Sequence, residues 1–199
     1  MSERVNPIPP AAPGTPETPR AQYGCVFCAT GREAVVAQMI EAAGRAWGVR
    51  AVAARQEKHK SENGQKSKVI AVVLKSYVFF RAPADMPDIA WMPRGEIIRV
   101  LTYEDGDWRL MGEDGQFAEW LFSYDGLLRF STAYREGERI RIVSGPLKDM
   151  EGQIRRIDKR GRSGQVAIEF NHKVTLVWLG FDLVNPMPES ARESDITQA

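Results

Sequence analysis

Apolar positions in this chain recur at two periods, and the switches between them mark out its elements. Tyr23-Gly-Cys-Val-Phe-Cys-Ala is a short apolar run that predicts a first strand. Val35, Val36, Met39, Ile40, Ala43 and Trp47 follow at helical spacing, so a helix is expected up to about Trp47. Thr30 is placed to cap it and Glu33 to close a capping box. Val49 to Arg55 reads as a second strand. Residues 57–68 are polar and basic around Asn63-Gly64, a pair that tolerates the positive φ angles of a tight hairpin turn. Val69 to Arg81 is a long run rich in Val and Phe, which predicts one central, doubly covered strand. Pro83, Pro87 and Pro93 punctuate a short helical or turn segment over 88–92. Glu96 to Leu101 reads as a further strand, and Asp105-Gly106 as a turn. Phe117, Trp120, Leu121 and Tyr124 then predict an amphipathic helix over 113–124.

After a connector over 127–136 the period returns to two, with Arg139, Arg141 and Val143 alternating with Ile140 and Ile142. Gly145-Pro146 breaks that strand, because proline has no N–H for a ladder and glycine supplies the unusual angles of a turn. Leu147 follows the turn, and Gly152 reopens an apolar run through Ile154 and Ile157. The order up to Asp125 is strand, helix, strand, hairpin, strand, helix, strand, helix. That is the split plan of an α+β, ferredoxin- or RRM-like sandwich, with a small β-domain after it. RNA-reading RRM domains carry glycines among the aromatics of a central strand. Leu74-Lys-Ser-Tyr-Val-Phe-Phe has none.

A chain of 199 residues has room for one or two domains plus tails. Residues 1–22 hold six of the twelve prolines, at 7, 9, 10, 13, 16 and 19, and almost no large apolar side chains. Such a segment cannot bury enough surface to offset its ordering entropy, so 1–21 is expected as a disordered tail, with an SH3-type partner as its one visible binding option. The remaining boundaries are 22–125 for the sandwich, 126–136 for a linker, 137–187 for the β-domain and 188–199 for a second tail. No apolar run approaches the ~18 residues of a membrane span. The start of the chain lacks the basic and apolar regions of a signal peptide. Two cysteines make no disulfide framework, and a reducing cytoplasm is the expected compartment.

A net charge of +1 conceals a marked local imbalance. Asp85 to Asp125 contains ten acidic residues and three arginines, a net of −7, whereas 153–165 contains five basic residues and one acid, a net of +4. Arg155, Arg156, Lys159, Arg160 and Arg162 are therefore the candidate RNA-binding residues, since guanidinium forks match phosphate geometry. Arg155 and Arg156 are expected on opposite faces of a strand, with Lys159 to Arg162 in or near the following turn. An ordinary charged hairpin has the same composition. Lys58, Lys60, Lys66 and Lys68 make a second basic hairpin, a candidate for contact with DNA.

Catalytic and metal chemistry find little support. Cys25-Val-Phe-Cys28 spells a CxxC, but residues three apart on a strand point to opposite faces, and no second pair exists. Both read as buried structural cysteines. His59 and His172 lack ligand spacing and have no nearby nucleophile, and no P-loop or Gly-x-Ser-x-Gly is present. Glu104-Asp105-Gly106-Asp107 lacks the remaining positions of a calcium loop. No enzyme activity, cofactor or metal is expected.

Gly137 to Ile154, with its strand, Gly-Pro turn and following Gly, resembles a KOW motif, the opening hairpin of an SH3-like barrel. With what precedes it, the chain resembles the NusG family of transcription elongation factors over roughly residues 22–187. That family's NGN domain opens with an aromatic strand leading into a Gly-x-Glu helix, here Tyr23 to Glu33. It continues through a variable basic hairpin, here near Asn63, to a strand of the form Leu/Phe-Pro-Gly-Tyr-Val-Phe. Leu74-Lys75-Ser76-Tyr77-Val78-Phe79 matches except that Lys-Ser replaces Pro-Gly. Gly145-Pro146-Leu147, the basic run from Ile154 and the ending Leu179-Gly-Phe-Asp-Leu-Val look closest to the specialised LoaP-type antiterminator paralogues. The resemblance implies a monomeric factor that binds RNA polymerase through a patch including Tyr23, Leu74 and Tyr77. Its KOW domain would take nascent RNA, a ribosomal protein or the Rho factor. Tyr23 and Leu74, at strand starts, are expected to be exposed, and Tyr77 to be core. Two other classes share these features: a ribosome-associated KOW protein with rRNA as sole partner, and an RNA-modifying enzyme with a KOW accessory domain.

Overall fold

A computed structural model describes residues 21–62, 65–86, 88–137 and 139–184; the side chains of 61, 62, 65 and 66 lie outside the description. The expected tails, up to residue 20 and from 188 onward, also fall outside it, as do Asn63-Gly64 and Pro87.

The first part of the chain runs β1 (Gln22–Cys28), α1 (Glu33–Ala43), β2 (Arg50–Ala53), the hairpin β3 (Arg55–Glu62) and β4 (Gln65–Val72), β5 (Tyr77–Ala82), β6 (Ile97–Val100) and α2 (Gly112–Ser123). Strands β2, β5, β1 and β6 form one antiparallel sheet in that order. Strand alternation sorts the apolar residues of β1 and β5 onto two faces. Val26, Cys28, Val78 and Phe80 share a core with Val36, Ala37 and Ile40 of α1. Cys25 and Phe79 lie in the opposite core with Phe117, Ala118 and Leu121 of α2. Phe79 and Phe80 are adjacent in sequence and both fully buried, one in each core.

The second part runs β7 (Leu127–Leu128), β8 (Ser131–Glu136), β9 (Arg139–Ser144), α3 (Pro146–Asp149), β10 (Ile154–Asp158), β11 (Ser163–Phe170) and β12 (Lys173–Leu183). Five of these strands form a sheet in the order β10-β11-β12-β8-β9, with β12 and β8 parallel. Strand β7 instead joins the hairpin in a three-stranded sheet, β4-β3-β7. Leu147, Val166, Ile168, Val177, Leu179 and Phe181 are buried in the same continuous core as Cys25, Phe79 and α2, so the two parts are packed together.

Several expected elements are revised. Val69 to Arg81 is two strands of different sheets, β4 and β5, separated by a turn over 73–76. Ser76 sits there at φ 70, the left-handed region that glycine adopts without steric penalty. Glu33 holds it: Oε1 accepts the Ser76 N–H at 2.8 Å and Oε2 accepts the Gly31 N–H at 2.9 Å. Thr30 Oγ1 lies 2.7 Å from Ser76 Oγ. Thr30 and Glu33 are therefore turn-fastening residues and not a capping box; the N-cap of α1 is Arg32, with no side-chain cap bond. The helix stops at Ala43, and Trp47 lies in a single 3-10 turn with 51% of its surface exposed. The segment 88–92, expected as helical or turn, is of the turn kind. Leu127 to Glu136, expected as a connector, carries β7 and β8.

The Gly145-Pro146 turn is more than a strand break. Gly145 takes φ 87, and a Cβ there would stand 2.9 Å from the Ser131 Cα. Pro146 opens α3, Leu147 is fully buried, and its N–H donates to Ser131 Oγ at 2.9 Å. Gly152 has open space around its Cα, so no steric demand selects glycine there.

The Glu33 contact makes stability depend on acid. Burial raises its carboxyl pKa, but N–H donors from Ser76, its own backbone and Gly31 outweigh that, and the net shift is downward. A pKa lower in the folded than in the unfolded chain contributes stability above the unfolded value of ~4.3, lost as pH falls through the folded value. Glu33→Gln should cost about 1–3 kcal/mol at neutral pH and flatten the acid decline. Denaturant titrations at pH ~7 and ~3.5 read both effects, and an unchanged acid profile would refute the assignment.

Candidate functional site

The sheet face formed by alternate residues of β1 and β5 is aromatic, and it is closed by the second part of the chain. Phe170, at the end of β11 and only 4% exposed, inserts between Tyr77, Phe79 and Phe117, with ring centroids at 5.4, 4.9 and 5.8 Å. Tyr77 also meets Phe27 edge-on at 5.3 Å. Tyr23 is half-buried, 5.5 Å from the Phe122 ring. Tyr23, Leu74 and Tyr77 thus converge on one core, as the spacing of their strands requires. The expected exposure of Leu74 is incorrect: it lies in the turn ahead of β5 and is 6% exposed.

Polar contacts rim the aromatic seam. Asp149 Oδ2, in α3, accepts the Tyr124 O–H at 2.6 Å and the Trp120 Nε1–H at 3.2 Å. Burial, and then the Asp149 carboxylate, push the Tyr124 hydroxyl pKa well up. Asp114, near the start of α2, accepts the Asn171 N–H at 2.9 Å. On the hairpin side His59 stacks on Phe130 at 4.4 Å, and Lys68 sits 4.6 Å from the same ring and 3.3 Å from Asp182 Oδ2. None of Phe170, Asp149, Trp120, Tyr124 or Phe130 is identified from sequence as a site residue. The only available signal was the i, i+4 pair Trp120 and Tyr124, whose polar tips face off the helix.

The basic run lies elsewhere. Arg155 and Arg156 occupy edge strand β10, and a register shift between Ile154 and Arg156 leaves both exposed. The bulge overturns the expected division between faces, because it inserts a residue and restarts the alternation. Lys159 and Arg160 form the exposed β10–β11 turn, with Arg162 next to it at φ 50. Asp158, the one acid of the run, is engaged by the backbone N–H groups of Arg160 and Gly161 at 3.0 and 2.9 Å. The five cations thus occupy one edge and one end of the sheet.

The hairpin lysines divide. Lys58 and Lys60 pair across the hairpin with Val69 and Ser67, whereas His59 pairs with Lys68. Cross-strand partners share a face, so Lys68 is opposite to Lys58 and Lys60 and turned toward Asp182. The Lys66 side chain lies outside the described residues.

Cys25 and Cys28 fall in the two separate cores, and burial raises the pKa of both thiols. Among the described residues no group of three or more His, Cys, Asp or Glu could hold a metal ion. No helix among them is long and apolar enough to cross a membrane.

No family model matches the chain, and no curated protein matches it. Among solved structures, it is similar to one described as "Domain interaction in Thermotoga maritima NusG", with 18% sequence identity and a TM-score of 0.46, over 81% of this chain and 94% of that one.

Proposed function

We propose that this chain is a NusG-type transcription elongation and processive antitermination factor of the LoaP-like kind. It would bind RNA polymerase through the Tyr23–Tyr77 face of an NGN-like unit, residues 22–125. A KOW-like unit, residues 137–187, would bind nascent RNA through Arg155, Arg156, Lys159, Arg160 and Arg162, in preference to a ribosomal protein or Rho. Lys58 and Lys60, on the hairpin face opposite Lys68 and Asp182, would be the residues to contact DNA. The reading is non-enzymatic and cytoplasmic.

The observation that carries it is the meeting of the two stretches on which the resemblance of the NGN-like unit rests. Glu33 closes the first, Ser76 lies in the second, and they are hydrogen-bonded across 43 residues. Ser76 takes a left-handed conformation that favours glycine, so a glycine at this position of the family pattern would suit the same turn.

Phe170 covers Tyr77, so polymerase has to displace the second sheet before it can use that face. This coverage also favours a second reading, a ribosome-associated protein with RNA as its sole partner, since the basic edge is the open surface. Asp149→Ala separates them. Loss of its two bonds weakens the closed form by about 1–3 kcal/mol, which should tighten core-polymerase binding by the full chain about tenfold. Absence of binding by both proteins would leave the RNA-only reading.

The RNA assignment has its own test. Arg155→Ala with Arg160→Ala should lower RNA affinity and reduce the salt dependence by about one unit of slope for each phosphate no longer neutralised. Equal affinity and slope in the altered protein would reject these residues as the RNA site.

A further inference from the structure

On the α1 side of the first sheet, away from Phe170, lies a groove of about 320 Å³ lined by Trp47, Pro83, Asp85, Met86, Asp88 and Trp91. The Trp47 and Trp91 rings stand 6.0 Å apart, and Trp91 in turn meets Phe80 edge-on at 6.2 Å. Trp47 is half-exposed, outside the helix it was expected to help bury. The Trp91 Nε1–H is buried and has no acceptor among the described residues. Asp85 and Asp88 are exposed on the rim. Paired tryptophans, a proline and an unused indole donor are what an aromatic groove for polyproline II requires, because that helix keeps its carbonyls free.

The chain itself supplies such a segment next to the groove. Prolines stand at 7, 10, 13, 16 and 19, every third residue, with one more at 9. Polyproline II has three residues per turn, so a three-residue period aligns those rings along one face, spanning about 37 Å at ~3.1 Å per residue. The segment leads into the fold at Gln22, which pairs with Ala82 and whose Nε2–H donates to the Ala84 carbonyl, adjoining Pro83 and Asp85. Gln22 Oε1 is also buried, with no donor among the described residues. Arg20, two residues before Gln22 in sequence, is a cation of the sign that Asp85 and Asp88 would attract.

We infer that residues 13–20 dock in cis as a polyproline II segment in the Trp47–Trp91 groove, with a carbonyl of the segment accepting from Trp91. This is independent of the proposed function, since the groove and the aromatic face seam lie on opposite sides of the sheet. A short tether gives a millimolar effective concentration, so a segment with a Kd of ~0.1 mM favours the docked form about tenfold.

The test compares indole N–H resonances of the full chain with those of a full chain carrying Pro13→Ala, Pro16→Ala and Pro19→Ala. The Trp47 and Trp91 signals should shift, and the Trp91 N–H should exchange with solvent about tenfold faster, while Trp120 and Trp178 stay in place. Trp47→Ala in the full chain should move the amide signals of Gly14, Thr15 and Thr18. Unmoved indoles in the first protein, or unmoved tail amides in the second, would overturn docking. So would shifts that disappear on dilution, which mark contact between copies, and indoles that answer only to an added proline-rich peptide, which assign the groove to another protein.

Discussion

Everything in this fold follows from the need to cover two apolar faces of one thin sheet. Phe79 and Phe80 are consecutive and both fully buried, so the middle of β5 is covered on both faces. Helix α1 satisfies one face with Val36, Ala37 and Ile40. On the other, α2 offers Phe117, Ala118 and Leu121, and the space toward Tyr77 is filled by Phe170 from a different sheet. Burying a phenylalanine side chain contributes about 1.5–3 kcal/mol, and the two bonds to Asp149 add about 1 kcal/mol each. These contributions are a lower bound on what packs the two parts together, since Leu147, Val166, Ile168, Leu179 and Phe181 share the same core.

The sheet itself was largely legible. Alternation in Tyr23–Cys28 and Tyr77–Ala82 announces strands with two buried faces, and the three-and-four spacing of Phe117 to Tyr124 places α2 within a residue of its observed bounds. The break inside Val69–Arg81 was not legible from composition, because serine seldom adopts positive φ and no glycine or proline interrupts the run. Its one trace is the alignment of Lys75-Ser76 with the Pro-Gly of the NusG pattern. The end of α1 is missed for a related reason. Trp47 continues the helical spacing, but Gly44 packs where its missing side chain would strike Val49, and the chain leaves the helix there.

The candidate site was legible only in part. Tyr23, Leu74 and Tyr77 do reach one core, yet Phe170 and Asp149, which decide whether that core is accessible, have no periodic signature. Phe170 ends an ordinary alternating strand and reads as part of its own sheet's interior. A contact between two separately patterned regions satisfies neither region's period, so sequence pattern cannot announce it. The bulge at Arg155 is hidden similarly: one inserted residue leaves the composition of β10 untouched while turning a two-faced pair of arginines into one exposed edge.

That edge is placed so that closure of the aromatic face does not hide it. Strand β11 has the basic turn at its start and Phe170 at its end, eight residues along, or about 23 Å at ~3.3 Å per residue. Lys159 and Arg160 are exposed in the closed form, and residues 153–165 carry a net charge of +4 with Asp158 included. Phosphate attraction extends over about a Debye length of ~8 Å, well short of the seam. Under the proposed function, the closed molecule would therefore present its basic edge to RNA while Phe170 still covers the Tyr77 face proposed for polymerase.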